Sequence, residues 1–320
     1  MVALLGRLAP LEGYNLTVLP DVRFLRSNRP LDRTPVLYDP GIVIVCQGRK
    51  RGYLGKTVYV YDAQHYLAVS VPVPFSMETE ASEAEPLLAI YFRLDFKVAA
   101  ELLLQIDERT ERDGSGKCGA SGECGKSGGS LPAEPRGMVS TPLDARLSAS
   151  VLRFLEAMSS PLEADLLGPA LVREIYFHVL TSEQGGSMRA ALTAQGQFAR
   201  IAKVIRKIHA CYREPLDVEQ LALEANMSVP SFHSHFKAVT RTSPMQYLKS
   251  TRLHQARLLM VRNEVTAALA CVQVGYESAS QFSREFKRLF GRSPVEEAEY
   301  MRRMFAVPPP APGSIFVASH

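Results

Sequence analysis

The chain has 320 residues, enough for two ordinary domains, with 46% apolar residues, 22% charged residues and no Trp. No stretch approaches the roughly 18 apolar residues of a membrane helix, and the opening "MVALLGRLAPLEGYN" lacks the charged lead and long apolar run of a secretory leader, so a soluble, cytoplasmic protein without membrane contact is expected. The net charge of +4 is uneven: residues 200–320 carry 17 Lys and Arg against 10 Asp and Glu, residues 1–199 carry 20 against 23, and the C-terminal half is the one suited to a polyanion.

From about residue 14 to 95 the chain reads as short runs rich in Val, Ile, Tyr and Phe, such as "GIVIVCQG" and "PLLAIYFRLD". Turn residues in "YDPG", "GRKRG" and "YLGK" punctuate them. Closely spaced short strands predict a β-sandwich or barrel. Five cysteines, an odd and sparse set, do not make a disulfide framework. Cys46 follows "IVIV" and shares a strand face with Ile42 and Ile44. That alternation predicts a thiol pointing into the barrel, with Arg49, Lys50 and Arg51 near enough to favour its thiolate, and makes Cys46 a candidate sensor.

Helical periodicity begins at Phe96 and stops at the Gly/Ser-rich residues 113–135, read as a flexible insertion in which Cys118 and Cys124 are incidental. Its "GKS" resembles the end of a phosphate-binding loop, but Ala120 stands where the leading Gly is required. Two more helices follow, the first with Leu143, Leu147, Val151, Phe154 and Leu155 on one face. Residues 184–196 read as a linker or weak helix start, 197–305 as helical throughout, and 306–320 as a disordered tail.

Within 197–305 one helical hairpin is written twice. "PLDVEQLALEANMSVPSFHSHFKAV" gives a helix starting after Asp217, a break at "NMSVP", and a second helix carrying the i, i+4 pair Phe232 and Phe236. "VTAALACVQVGYESASQFSREFKRLFGRSP" repeats it, with Gly275 in the turn, Ser278 as cap, and Phe282 and Phe286 as the pair. Phe232, Phe236, Lys237 and Ser243-Pro244 recur 50 residues later, while the offset before the turn is 49, so the second turn is one residue longer. Two helix-turn-helix units joined by one helix would meet successive major grooves on one DNA face, roughly 34 Å apart.

"VGYESASQFSREFKRLFGRSP" resembles the second helix-turn-helix signature of AraC/XylS-type transcription regulators, and "LALEANMSVPSFHSHFKAVTRTSPMQYLKSTRLHQARLLM" their first motif and connecting helix. "GIVIVCQGRKRGYLGKTVYVYDAQHYLAVSVPVPF" resembles the cupin-like sensor domain of one subgroup. The resemblance implies an α+β chain. Residues 1–190 would be a cupin-like β-barrel with accessory helices, for sensing and dimerisation; residues 197–305 would be an all-α double helix-turn-helix domain. It implies a sequence-specific regulator that binds double-stranded DNA as a homodimer, answers a small-molecule effector or reactive species, and has RNA polymerase as a further partner. By position, the base-facing residues fall on Ser280, Gln281 and Arg284 in the second motif and on Ser231, His233 and Ser234 in the first. The family often holds Arg where Ser234 stands. Gln can read adenine and Arg guanine through paired hydrogen bonds. Lys237, Lys287, Arg288 and Arg292 are candidate phosphate contacts.

Two rival readings are a cupin-type metal-dependent enzyme fused to a DNA-binding domain and an architectural DNA-binding protein. The barrel region offers only His65, with Asp62 three residues before it, too little for a metal, so no catalytic residue, metal or cofactor is expected. An architectural binder has no use for the barrel.

Overall fold

The computed structural model describes residues 1–114, 135–193 and 196–304. Most of the 113–135 insertion, with Cys118 and Cys124, and the 306–320 tail lie outside the described residues. The first half comprises α1 (Val2–Leu8), nine strands, α2 (Phe96–Gly114), β10 (Met138–Pro142), α3 (Ala145–Ala157), α4 (Pro161–Thr181) and α5 (Gly186–Leu192). The nine strands are β1 (Gly13–Leu16), β2 (Val22–Ser27), β3 (Leu31–Tyr38), β4 (Gly41–Gln47), β5 (Arg49–Leu54), β6 (Thr57–Asp62), β7 (His65–Val69), β8 (Val73–Glu80) and β9 (Leu87–Arg93). They form one antiparallel sheet in the order β1-β2-β9-β4-β7-β6-β5-β8-β3, with β10 beside β7, curled into a half-barrel.

The two kinds of strand follow from what covers each face. In β8, Val73, Phe75, Met77 and Thr79 are buried and the residues between them are not, the period-two signature of a strand with one wet face. β4 and β9 are apolar on both faces because both are covered. Val43, Val45, Ala89 and Tyr91 line the concave side, whereas Ile42, Ile44, Leu88, Ile90 and Phe92 meet the helices outside. That outer layer takes Leu5 of α1, Leu102 of α2, Leu147, Val151, Phe154 and Leu155 of α3, and Ile175 and Val179 of α4. Asp144 caps α3, its carboxylate accepting from the Leu147 N–H at 2.7 Å.

The second half is helical: α6 (Gln197–Cys211), α7 (Val218–Glu224), α8 (Val229–Thr240), α9 (Pro244–Arg262), α10 (Ala267–Gln273), α11 (Ala279–Phe290) and α12 (Pro294–Met304). The Phe232–Phe236 pair of α8 packs edge to face and sinks into the same apolar cluster as the concave strands, together with Ile201, Ile205 and Ile208 of α6. The Phe282–Phe286 pair of α11 sits in a separate cluster with Leu253, Ala256 and Met260 of α9 and Met301 of α12. The first helical hairpin thus shares its core with the half-barrel, and the second has its own.

One polar contact marks the joint. The Tyr247 hydroxyl of α9 donates to the Pro72 carbonyl just before β8, at 2.7 Å, and stands 2.8 Å from His209 Nε2 of α6. A hydroxyl has one proton, so Nε2 carries the proton of the second bond, and His209 is neutral with Nε2–H. Burial agrees, holding His209 down to about 4. The short segments α1 and β10 are a helix and a strand that no sequence pattern announced, and within 184–196, read as a linker or weak helix start, the helix α5 is present.

Candidate nucleic-acid interface and the barrel pocket

Each hairpin is a short first helix, a tight turn and a longer second helix. Asp217 caps α7 by accepting from the Gln220 N–H at 2.7 Å, and Ser278 caps α11 by accepting from the Gln281 N–H at 3.3 Å. The turn before α8 bends at Asn226, φ 50°, a residue that tolerates the left-handed region. The turn before α11 bends at Gly275, φ +83°, where a Cβ would lie 2.4 Å from the Arg213 carbonyl oxygen. The extra residue expected in the second turn is present: four residues separate α7 from α8, five separate α10 from α11.

With Phe282, Phe286 and Phe290 turned inward, α11 presents Ser280, Gln281, Arg284, Lys287 and Arg288 to solvent. Gln281 Nε2 is held by Glu285 at 3.2 Å, and Glu285 also receives Lys249 Nζ at 2.9 Å and the Tyr276 hydroxyl at 2.7 Å. These partners hold the Glu285 carboxyl below the usual carboxylate range despite partial burial, so it is anionic and pre-orients Gln281. Arg292 lies past the helix end, against Glu297 at 3.3 Å and the Tyr300 ring at 3.7 Å, partly engaged within the protein.

On α8, Ser234 and Lys237 are exposed and His233 is half-buried. Ser231 is half-buried as well, its carbonyl oxygen 2.8 Å from His235 Nδ1 and its hydroxyl 3.3 Å from the same atom. The two sets of candidate base-facing residues therefore differ: on α11 Gln281 and Arg284 are long and exposed, on α8 Ser231, His233 and Ser234 are short or partly covered.

Cys46 does not face the barrel interior. It keeps the company that alternation predicts, Ile42 and Ile44, but that face of β4 meets the helices. Burial there pushes its thiol up to about 12. Arg49 and Arg51 are turned away, paired with Asp62, Glu78 and Glu80. The grounds for a reactive thiolate at Cys46 are absent.

The residue that does face the interior is Lys50, which sequence inspection passed over as one of three turn cations. It lies on the concave face of β5, 2% exposed, its Nζ 3.2 Å from Met77 Sδ. Burial pulls its amine down to about 7. It lines a small pocket with a cavity volume of about 30 Å³ between the β1–β2 end of the sheet and β3, β5 and β8, walled by Leu25, Leu31, Met77 and Leu87 and edged by Glu12, Ser27 and Arg29. His65 bonds Asp62 at 3.2 Å, and among the described residues no group of three His, Cys, Asp or Glu gathers as a metal would require. Among the same residues, no helix is long and apolar enough to cross a membrane.

Comparison with known proteins adds to this geometry. Residues 18–187, more than half the chain, match the model of the AraC-type transcriptional regulator N-terminus, and residues 221–309 match a helix-turn-helix domain. The HTH-type transcriptional regulator AlkR of Acinetobacter baylyi is 33% identical over 94 residues, 29% of this chain and 31% of AlkR. The RCS-specific HTH-type transcriptional activator RclR of Escherichia coli is 33% identical over 105 residues, 33% of this chain and 37% of RclR. The matched stretch thus spans about a third of each of these relatives. ToxT from Vibrio cholerae, solved with an unsaturated fatty acid bound, shares the fold at a TM-score of 0.54 and 13% identity, over 90% of this chain and 98% of that one.

Proposed function

The chain belongs to the AraC-type transcriptional regulators, and from that membership we propose that α11 and α8 read promoter DNA while the half-barrel receives the effector that adjusts their presentation. It is a DNA-binding regulator of transcription. The observation that carries the reading is α11: an amphipathic helix whose three phenylalanines are buried and whose Gln281, Arg284 and Lys287 are exposed, Gln281 oriented by Glu285. Gln281 and Arg284 supply base readout, Ser280 a shorter contact, and Lys287 and Arg288 phosphate contacts. Ser231, His233 and Ser234 of α8 contribute weaker readout beside Lys237. Arg292 is a lesser phosphate contact, because it also serves Glu297 and Tyr300.

Residues 1–190 act as the sensor unit and 197–305 as the reading unit. That a protein of this fold is solved with a fatty acid bound supports an effector site in the half-barrel. The exposed Leu162, Leu166 and Leu167 on α4 support a homodimer formed through that helix, working in the cytoplasm beside RNA polymerase. The test is footprinting of promoter fragments recovered from cells, with selected-site sequencing. A protected site whose information is sharpest in the half nearest α11 bears the reading out. Equal information in both halves would give α8 a larger part than proposed.

A further inference from the structure

Along β5 the side chains alternate between paired and unpaired cations. Arg49 and Arg51 point outward into Asp62, Glu78 and Glu80. Lys50, between them, points inward, and among the described residues its one polar partner is the thioether of Met77. Among the same residues no carboxylate lies within ion-pairing distance of it; Glu12, the acid of the same pocket, is bonded by the Ser27 hydroxyl at 3.3 Å and the Asn28 N–H at 2.8 Å. A charged ammonium in such a place costs several kcal/mol, and an apolar side chain would pack there without that cost. A lysine kept in an apolar pocket is shifted toward its unprotonated amine, a nucleophile.

We infer that Lys50 Nζ captures a small carbonyl compound, an aldehyde or ketone, as a reversible imine inside the half-barrel. The inference rests on the reading of the half-barrel as the effector site. The amine lone pair attacks the carbonyl carbon and the C=O π pair moves to oxygen. The two amine protons then leave with that oxygen as water, and a C=N bond remains. Tyr14 and Thr79 line the same pocket. Leu25, Leu31 and Leu87, around a cavity volume of about 30 Å³, suit a methyl-sized group on the carbonyl carbon. A carboxylic acid fits less well: it would form a buried ion pair needing further donors for its second oxygen, at an opening edged by the Glu12 carboxylate. Burial that brings Lys50 to about 7 leaves half of it unprotonated at neutral pH, against roughly one part in 10³ for an ordinary exposed lysine.

The experiment exposes the full chain to acetaldehyde and cyanoborohydride at pH 7 and maps ethyl adducts by peptide mass spectrometry. Lys50 is expected to be modified at least about tenfold faster than the exposed Lys56 and Lys97. Acetaldehyde should also raise the thermal midpoint of the wild-type chain and not that of Lys50→Met or Lys50→Arg, one variant apolar and one charged, each checked for folding by its own transition. Even labelling of all lysines, or an unlabelled Lys50, overturns the inference. So does a Lys50-dependent stabilisation by acetate with no adduct from acetaldehyde, which would make the pocket an acid site. The DNA footprint of the wild-type chain is read separately, so loss of the regulator reading and loss of this inference are distinguishable.

Discussion

Arg284 and Lys287 stand three residues apart on α11, both exposed, and should fail in different ways. Arg284→Ala is expected to cost about 1 to 3 kcal/mol at a specific site and relax one base preference. Lys287→Ala should weaken all DNA sequences alike and reduce the salt slope by about one. Binding titrations at three salt concentrations, on a specific and a scrambled duplex, separate the two; an unchanged sequence preference in Arg284→Ala would mean the helix is rotated in its groove. The resemblance named these positions, and their spacing from the buried phenylalanines puts them on the wet side of α11; that they read DNA is what the titrations test. Cys46 and Lys50 show where legibility in the sequence ends. Alternation gave Cys46 its correct neighbours, Ile42 and Ile44, but a strand covered on both faces carries no mark of which cover is helix and which is barrel. Lys50 was hidden because "GRKRG" has the composition of a turn, whereas β5 already begins at Arg49 and turns the middle cation inward.

At the scale of the element, the two recognition helices end differently. α11 ends at Gly291 with φ 80°, and α8 at Arg241 with φ 60° and ψ 11°. Both caps close the same bond, their N–H to the carbonyl four residues back. An L-residue with a Cβ pays roughly 1 kcal/mol in the left-handed region, and glycine does not. Arg241→Gly should therefore raise stability by about that amount, less what glycine adds to the freedom of the unfolded chain. A denaturant midpoint that falls instead would show that the Arg241 side chain is needed where it lies, near Gly55 of the β5–β6 turn. Phe232→Ala and Phe286→Ala should each cost about 3 to 5 kcal/mol, as fully buried aromatics do. The repeat was readable because both copies keep the same Phe spacing and the same Ser-Pro start of the next helix. By contrast, α1 and β10 are short segments with no repeat to mark them, β10 forming against β7, and α5 was legible only as a weak helix start.

Across the whole molecule, the first hairpin and the half-barrel are one apolar body joined through Tyr247, His209 and Pro72, while the second hairpin keeps its own core. This joint lies next to β8, the strand whose Met77 and Thr79 line the barrel pocket, so it is where the pocket and the first hairpin are physically continuous. Its pH dependence follows from the neutral His209. The folded chain holds this imidazole down to about 4, and the unfolded chain returns it to about 6.5. Between those values the unfolded state binds more protons, so the stability that His209 contributes is complete above about 6.5 and is lost as pH falls toward 4. Carboxylates titrate over part of the same range, and His254, also buried and held below its ordinary range, adds a slope of the same sign in the second core. The difference between the wild-type chain and His209→Gln isolates the joint: calorimetry should give the variant a shallower fall of midpoint from pH 6.5 to 4. Tyr247→Phe should act at every pH, because it strips a partner from both the Pro72 carbonyl and the His209 N–H, at about 1 to 3 kcal/mol. If the joint is what makes half-barrel and first hairpin melt together, that variant should split their common transition in two while the second hairpin melts as before. A single transition, merely shifted, would mean the apolar contacts of Phe232, Phe236 and the α6 isoleucines carry the coupling without the hydrogen bonds.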